Sequence, residues 1–216
     1  MRDLDLAIRL IDAVVSAVSI PVTVKMRLGW DDQTRNAPEL ARRAQQAGVA
    51  AVTVHGRTRN QFYKGKADWS AVRQVVEAVT IPVIVNGDCQ SLDDARTMLE
   101  LSGAQGVMIG RAAVGRPWLV GQIARGLASG TTPAAPSNAV RQAAALEHYD
   151  GLLSLYGYKM GIRHARKHLA AYADHHAVPS RFTAAQRLRL LTSLEADEVR
   201  ELLASLFEEA AESEAA

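Results

Sequence analysis

Residues 19–24, Ser-Ile-Pro-Val-Thr-Val, come back as Thr-Ile-Pro-Val-Ile-Val at residues 80–85. In both, a proline interrupts the preceding pattern and a β-branched run suited to a buried strand follows. A second pair echoes in the same way: residues 47–52 (AGVAAV) resemble residues 102–107 (SGAQGV). Working outward, Leu4, Ile8, Ile11, Val15 and Val18 predict a first helix, and residues 22–27 a strand. Asn36 with Glu39, and Pro38 in the first turn, predict a capping box and a helix ending near Gly48. Residues 51–55 predict the second strand, and Asp68 caps a helix running to Val79. Residues 83–86 predict the third strand, Ser91 with Asp94 the next cap, and residues 106–110 the fourth strand. Pro117 then opens a further helix.

The alternation is that of an α/β chain with a parallel sheet. Repetition at the scale of two βα units favours a (β/α)₈ TIM barrel over a dinucleotide-binding fold, and no G-x-G-x-x-G follows any strand. A barrel needs about eight strands, so four leave open edges and a bare inner face. The expectation is the C-terminal half of a barrel, either part of a longer protein or paired with another half. Residues 128–137 (ASGTTPAAPS) have a linker's composition, and only helical patterns follow. The domains expected are a partial barrel over 1–130 and a small all-helical domain over 131–216, whose last helix runs from about Ala184 to Phe207.

The composition is that of a globular chain: 216 residues, 48% hydrophobic and 22% charged, with few aromatics, so Ala, Val, Leu and Ile must build the core. No run approaches the length of a membrane span, and the charged N-terminus (MRDLDLAIRL) is unlike an export signal. A single cysteine, Cys89, excludes an internal disulfide and a Cys-rich metal site; a cytoplasmic home and no metal are expected. The net charge of +2 conceals an asymmetry. Residues 131–194 carry 8 Lys and Arg against 3 Asp and Glu, whereas residues 195–216 carry 1 against 8. A basic body with an acidic tail suits a polyanionic partner.

The echo places Lys25, His55, Asn86 and Gly110 in equivalent positions at strand ends, where such barrels carry function. A lysine in that mouth either meets an anionic partner or reaches solvent. Asn86-Gly87-Asp88 and Gly110-Arg111, at consecutive strand ends, match a phosphate site built from backbone N–H groups and an arginine. The loop after His55 mixes Arg57, Arg59, Lys64 and Lys66 with Phe62 and Tyr63, a combination suited to nucleic acid or to a solvated surface. Lys159, Arg163, Arg166 and Lys167 share one helical face, as they would against a phosphate backbone or in water. No histidine near Cys89 activates it, so Cys89 reads as packing.

Five stretches, VTVKMRLGWDD (22–32), HGRTRNQFYKGKADW (55–69), IPVIVNGD (81–88), GVMIGRAAVGRPWL (106–119) and GIRHARKHLAAY (161–172), together resemble the bacterial tRNA-dihydrouridine synthases. That resemblance implies an oxidoreductase with an FMN-bearing barrel, a helical domain, and tRNA lying across both. NADPH would reduce FMN, and FMN would reduce the uracil C5–C6 bond. Lys25 would meet the flavin N1/O2 edge, His55 the flavin or its ribityl chain, and Asn86, Gly87, Asp88, Gly110 and Arg111 the ribityl phosphate. Arg27 would contact the flipped uracil; Arg57, Arg59, Lys159, Arg163, Arg166 and Lys167 would hold tRNA. The family's general-acid cysteine, in an Asn-x-Gly-Cys-Pro loop, has no counterpart here and is expected upstream of Met1, so no catalytic residue is assigned and the isolated chain is expected to be inactive. The rival expectations are another FMN- or phosphate-binding TIM-barrel oxidoreductase and a non-catalytic RNA-binding fragment.

Overall fold

The structure, a computed structural model, describes residues 1–208. By packing it divides into two units. The first comprises residues 1–111 with 126–130; the second comprises residues 112–125 and the chain from Thr131. The composition-based boundary at 130/131 therefore differs from the packing. Trp118 packs on the core of the later helices, and a Cβ on Gly115 would lie 2.6 Å from the Ala171 carbonyl, so this segment goes with them.

The first unit is an α/β layer. Its elements are α1 (Leu4–Ala17), β1 (Thr23–Arg27), α2 (Ala37–Gln46), β2 (Ala51–His55), α3 (Arg73–Ala78), β3 (Val83–Asn86), α4 (Leu92–Ser102) and β4 (Gly106–Met108). All four strands are parallel, in the order β1-β2-β3-β4. Side chains alternate across the sheet. Val52, Val54, Val83 and Val85 point to the helix side and are buried with Leu40, Ala44, Val75 and Met98. These small and branched side chains make a thin, aromatic-free core. Lys25, Arg27, Thr53, His55, Ile84 and Asn86 lie on the opposite face.

Most of the boundaries follow the local chemistry. Ser91 Oγ accepts from Asp94 N at 3.0 Å and starts α4, as its spacing predicts. Asp68 Oδ1 accepts from Ala71 N at 3.0 Å, but caps a 3₁₀ turn, Ser70–Val72, that passes into the short α3. The Asn36 capping box does not form. The Asn36 side chain makes no cap bond, and its Nδ2 donates instead to the Met1 carbonyl at 2.8 Å. β4 stops at Met108 rather than at Gly110. α1 presents Leu6, Leu10 and Val14 at 45%, 61% and 51% exposure and buries none of its residues.

In the second unit, α5 (Trp118–Ser129) contributes residues up to Arg125, and α6 (Asn138–His176), α7 (Ala184–Thr192) and α8 (Ala196–Ser205) supply the rest. α6 is broken at Gly157 (φ 71°, ψ 162°), so it forms two arms. They pack tightly: a Cβ on Gly161 would lie 2.8 Å from both the Leu152 carbonyl oxygen and the Leu153 Cα. Tyr149, Ile162, Leu169, Tyr172, Leu190 and Leu203 form the shared core. The single final helix expected over 184–207 is two helices. Ser193 Oγ accepts from Glu195 N at 3.1 Å and donates to Glu198 at 2.6 Å, and this local bonding competes with helix continuation. The acidic stretch continues past Glu208, outside the described residues. No helix among the described residues is long and apolar enough to cross a membrane.

Candidate functional site

Strand register places Arg27 beside His55, His55 beside Asn86, and Asn86 beside Met108. Lys25 lies one layer deeper, beside Thr53. The echo aligned Lys25 with His55; the strand runs two residues further than the echo indicates, and Arg27 takes that place. Lys25 rejoins the group through its length, since its Nζ donates to Asn86 Oδ1 at 3.0 Å. Asn86 Nδ2 in turn donates to the Met108 carbonyl at 2.9 Å, so one buried amide links β1, β3 and β4. Arg27 Nη1 donates to the carbonyls of Thr58 and Phe62 at 2.9 and 2.8 Å. This fixes the guanidinium against the 56–66 loop. Gly110 lies just past β4, and a Cβ there would meet nothing within 4 Å.

The loop after β2 is fastened to the loop after β3. Arg57 is 1% exposed, and its guanidinium donates to Lys64 O (3.2 Å), Gly65 O (2.6 Å), Asp88 Oδ1 (2.9 Å) and Asp88 Oδ2 (2.6 Å), and faces His55 Nε2 (3.3 Å). A guanidinium has five N–H groups. All are committed, so Arg57 has none left for a phosphate, contrary to the tRNA role assigned to it by resemblance. Asp88 also accepts from Ala67 N at 2.9 Å and lies 3.4 Å from Arg111. Burial opposes its ionisation, but the Arg57 and Ala67 hydrogen bonds and the Arg57 and Arg111 charges hold its carboxyl below the usual range. A carboxylate so engaged ties the loops together and repels a phosphate, so a direct phosphate contact from Asp88 does not fit. Trp69 Nε1 completes the clamp, donating to the Gly87 carbonyl at 2.8 Å.

Three cations remain around the open sheet face. The Lys25 pKa is lowered by partial burial and by the neighbouring Arg27 charge. Arg111, with a side chain 67% exposed, lies over the Tyr63 ring at 4.5 Å, and Arg27 lies 5.6 Å from the same ring. Arg59 stacks over Phe62 at 4.2 Å and near Trp30 at 5.6 Å. His55 is pushed down to about 4 by burial first, then by the Arg27, Lys25 and Arg57 charges, so it is neutral at pH 7. The unfolded chain, with histidine near 6.5, binds a proton between these values that the native chain does not. The first unit should therefore lose stability as pH falls from about 6.5 towards 4. Thermal midpoints across that window should drop, and His55→Gln should flatten the drop; equal slopes in both proteins would contradict the assignment.

Cys89 is 3% exposed and its thiol is pushed up to about 11 by burial, so it is a packing residue. In the second unit, Lys159, Arg163 and Lys167 are exposed, and none of them makes an ion pair among the described residues. Arg166 is half-buried, with an Nε that finds no partner, so it stands apart from the other three.

The dihydrouridine synthase (Dus) family matches residues 1–213. The chain belongs to the dihydrouridine synthase family. A probable tRNA-dihydrouridine synthase of Rickettsia conorii is 50% identical over 174 residues, 81% of this chain and 53% of the relative. One of Rhodobacter capsulatus is 51% identical over 181 residues, 84% and 56% of the two chains. The tRNA-dihydrouridine synthase B of Xanthomonas axonopodis pv. citri is 47% identical over 184 residues, 85% and 55%. The chain thus spans about half the length of the curated relatives it matches. A mandelate oxidase structure aligns over 92% of this chain and 65% of its own at 18% identity and a TM-score of 0.32, too weak a likeness to carry an argument.

Within this chain of the dihydrouridine synthase family, the structure brings Lys25, Arg27, His55, Asn86, Gly87, Asp88 and Arg111 to one end of one sheet. Sequence reading missed what joins them. The mutual bonding of Arg57, Ala67 and Trp69 with Gly87 and Asp88 was visible only as two separate motifs, HGRTR…ADW and NGD.

Proposed function

We propose that this chain supplies the flavin- and tRNA-binding portion of a tRNA-dihydrouridine synthase. Its four parallel strands form the C-terminal half of a (β/α)₈ barrel. Two features support the half-barrel reading. β1 and β4 are the edges of the sheet, and a cleft of about 690 Å³ beside β1 is lined by Leu10, Ile11, Val24, Lys25, Arg27 and Trp30. The helices of the second unit form the RNA-binding domain.

The observation that carries the functional reading is the group of three cations (Lys25, Arg27 and Arg111) and one neutral histidine at the C-terminal ends of β1–β4, whose only neighbouring carboxylate, among the described residues, is already held by Arg57. This donor set fits FMN, a planar group with an anionic phosphate and an edge that gains negative charge on reduction. FMN held there and reduced by NADPH would supply hydride to one carbon of the uracil C5–C6 bond, with a proton going to the other carbon. The chain's residues do the rest. Lys25, held by Asn86, places a fixed positive charge where negative charge develops. Gly110 leaves room for close approach to a phosphate, and Arg111 adds a charge-assisted contact. Arg27, with its Nη1 committed to loop carbonyls, turns its remaining N–H groups towards the uracil. The inert Cys89 thiol does not provide the proton.

Lys159, Arg163 and Lys167, with Arg59, hold tRNA phosphates. Each phosphate contact contributes roughly 0.7–0.9 to the slope of log affinity against log salt. The Lys159→Ala, Arg163→Ala, Lys167→Ala triple variant should therefore bind tRNA with a slope shallower by about two to three. A filter-binding salt series tests this, and an unchanged slope would remove the basic helix from the interface.

A further inference from the structure

We infer that Arg57 is a positioning residue that fixes His55 as its Nδ1–H tautomer, so that His55 offers a hydrogen-bond donor to a ligand on the open face of the sheet. The identity of that ligand rests on the flavin reading above; the tautomer does not.

A guanidinium donates and never accepts. Arg57 Nη1 gives one N–H to Asp88 Oδ1 at 2.9 Å, and its other faces His55 Nε2 at 3.3 Å. Nε2 must therefore present a lone pair. A neutral imidazole with its lone pair on Nε2 carries its proton on Nδ1. Either alternative, a proton on Nε2 or an imidazolium, sets two donors against each other.

The guanidinium is not free to turn away. Asp88 takes both of its terminal nitrogens, and the Lys64 and Gly65 carbonyls take Nε and Nη2. The imidazole is held as well. His55 is 6% exposed, and the Gly87 backbone lies so close that a Cβ there would sit 2.8 Å from His55 Cδ2. Lys25 and Arg27 face the ring from β1 and disfavour the charged form, outweighing Asp88. Among the described residues, no hydrogen bond is made at His55 Nδ1. The donor is therefore left for a carbonyl, a ring nitrogen or a hydroxyl oxygen of the ligand. In the flavin reading that is an acceptor atom of the ring or of the ribityl chain. The arginine two residues beyond the histidine in His-Gly-Arg thus acts through the histidine rather than on RNA.

The test uses the full chain with ¹⁵N-labelled histidine at pH 7 without ligand, its His55 signals assigned by their loss in His55→Gln. Long-range ¹H–¹⁵N correlation should show a pyrrole-type Nδ1 and a pyridine-type Nε2 for His55. A protonated Nε2, or protons on both nitrogens, overturns the inference. In Arg57→Met, which removes the donor facing Nε2, the major His55 signal should switch to the Nε2–H form while the other five histidines keep theirs. An unchanged Nδ1–H signal in that folded variant also overturns it. If Arg57→Met loses its fold, the wild-type chain decides: a nuclear Overhauser contact from the Arg57 guanidinium protons to His55 Hδ2 is required, and its absence overturns the inference. None of these readouts needs flavin or turnover. A chain that shows the locked tautomer but binds no FMN would overturn the functional reading and leave this one standing.

Discussion

Arg57→Ala should lower the unfolding free energy of the sheet-bearing unit by about 3 kcal/mol. The alanine removes every donor that the Lys64 and Gly65 carbonyls and both Asp88 oxygens receive from the guanidinium. Removing one partner of a buried ion pair costs roughly 3–5 kcal/mol, because the other charge is left desolvated without compensation. The lower end of that range applies here. The Asp88 side chain keeps 24% exposure and can still draw on Arg111, 3.4 Å away, and on Ala67 N. Urea unfolding followed by circular dichroism measures the loss. A midpoint shift equivalent to under about 0.5 kcal/mol, the usual size for a surface substitution, would show that the clamp contributes nothing to stability.

Gly87→Ala should also cost about 2–4 kcal/mol, and it has a built-in control. Gly87 has φ 121°, and a Cβ there would lie 2.8 Å from both Ala67 Cβ and His55 Cδ2. The methyl group adds a collision to an unfavourable backbone conformation, and the side chains it meets are pinned, one by Asp88 and the other by Arg57. Gly65 also has positive φ, 64°, but open space around its Cα. Gly65→Ala should therefore carry only the backbone cost, about 1 kcal/mol. Equal losses at the two sites would mean that steric closure of the histidine pocket is not what Gly87 provides.

Much of the first unit was legible because its signals are local. Proline followed by a β-branched run marks β1 and β3, and Ser91 caps α4 through a bond three residues away. Misreadings occurred where a distant group decided the outcome. Asn36 has the sequence of a cap, yet its amide is drawn to the Met1 carbonyl. Arg57 sits in a basic, aromatic loop that reads as a solvated or RNA-facing surface. Its burial depends on Asp88, thirty-one residues further on, and no spacing rule connects the two. Lys25 and Arg27 exchanged places because a strand's end is set by its neighbours' hydrogen bonding rather than by an internal repeat. Ser193 divides the last helical stretch through its own hydroxyl, a signal that was present in the sequence and outweighed there by the leucine pattern. The site's charge pattern could be read from the sequence, but its wiring could not.

The proposed reduction of uridine in tRNA can be tested in the cell. The direct measurement is nucleoside mass spectrometry of tRNA from its native host after deletion of the gene. Dihydrouridine should disappear from a defined tRNA position, return with the wild-type gene, and fail to return with Lys25→Ala, which removes the cation beside Asn86. Dihydrouridine unchanged at every position after deletion would contradict the account.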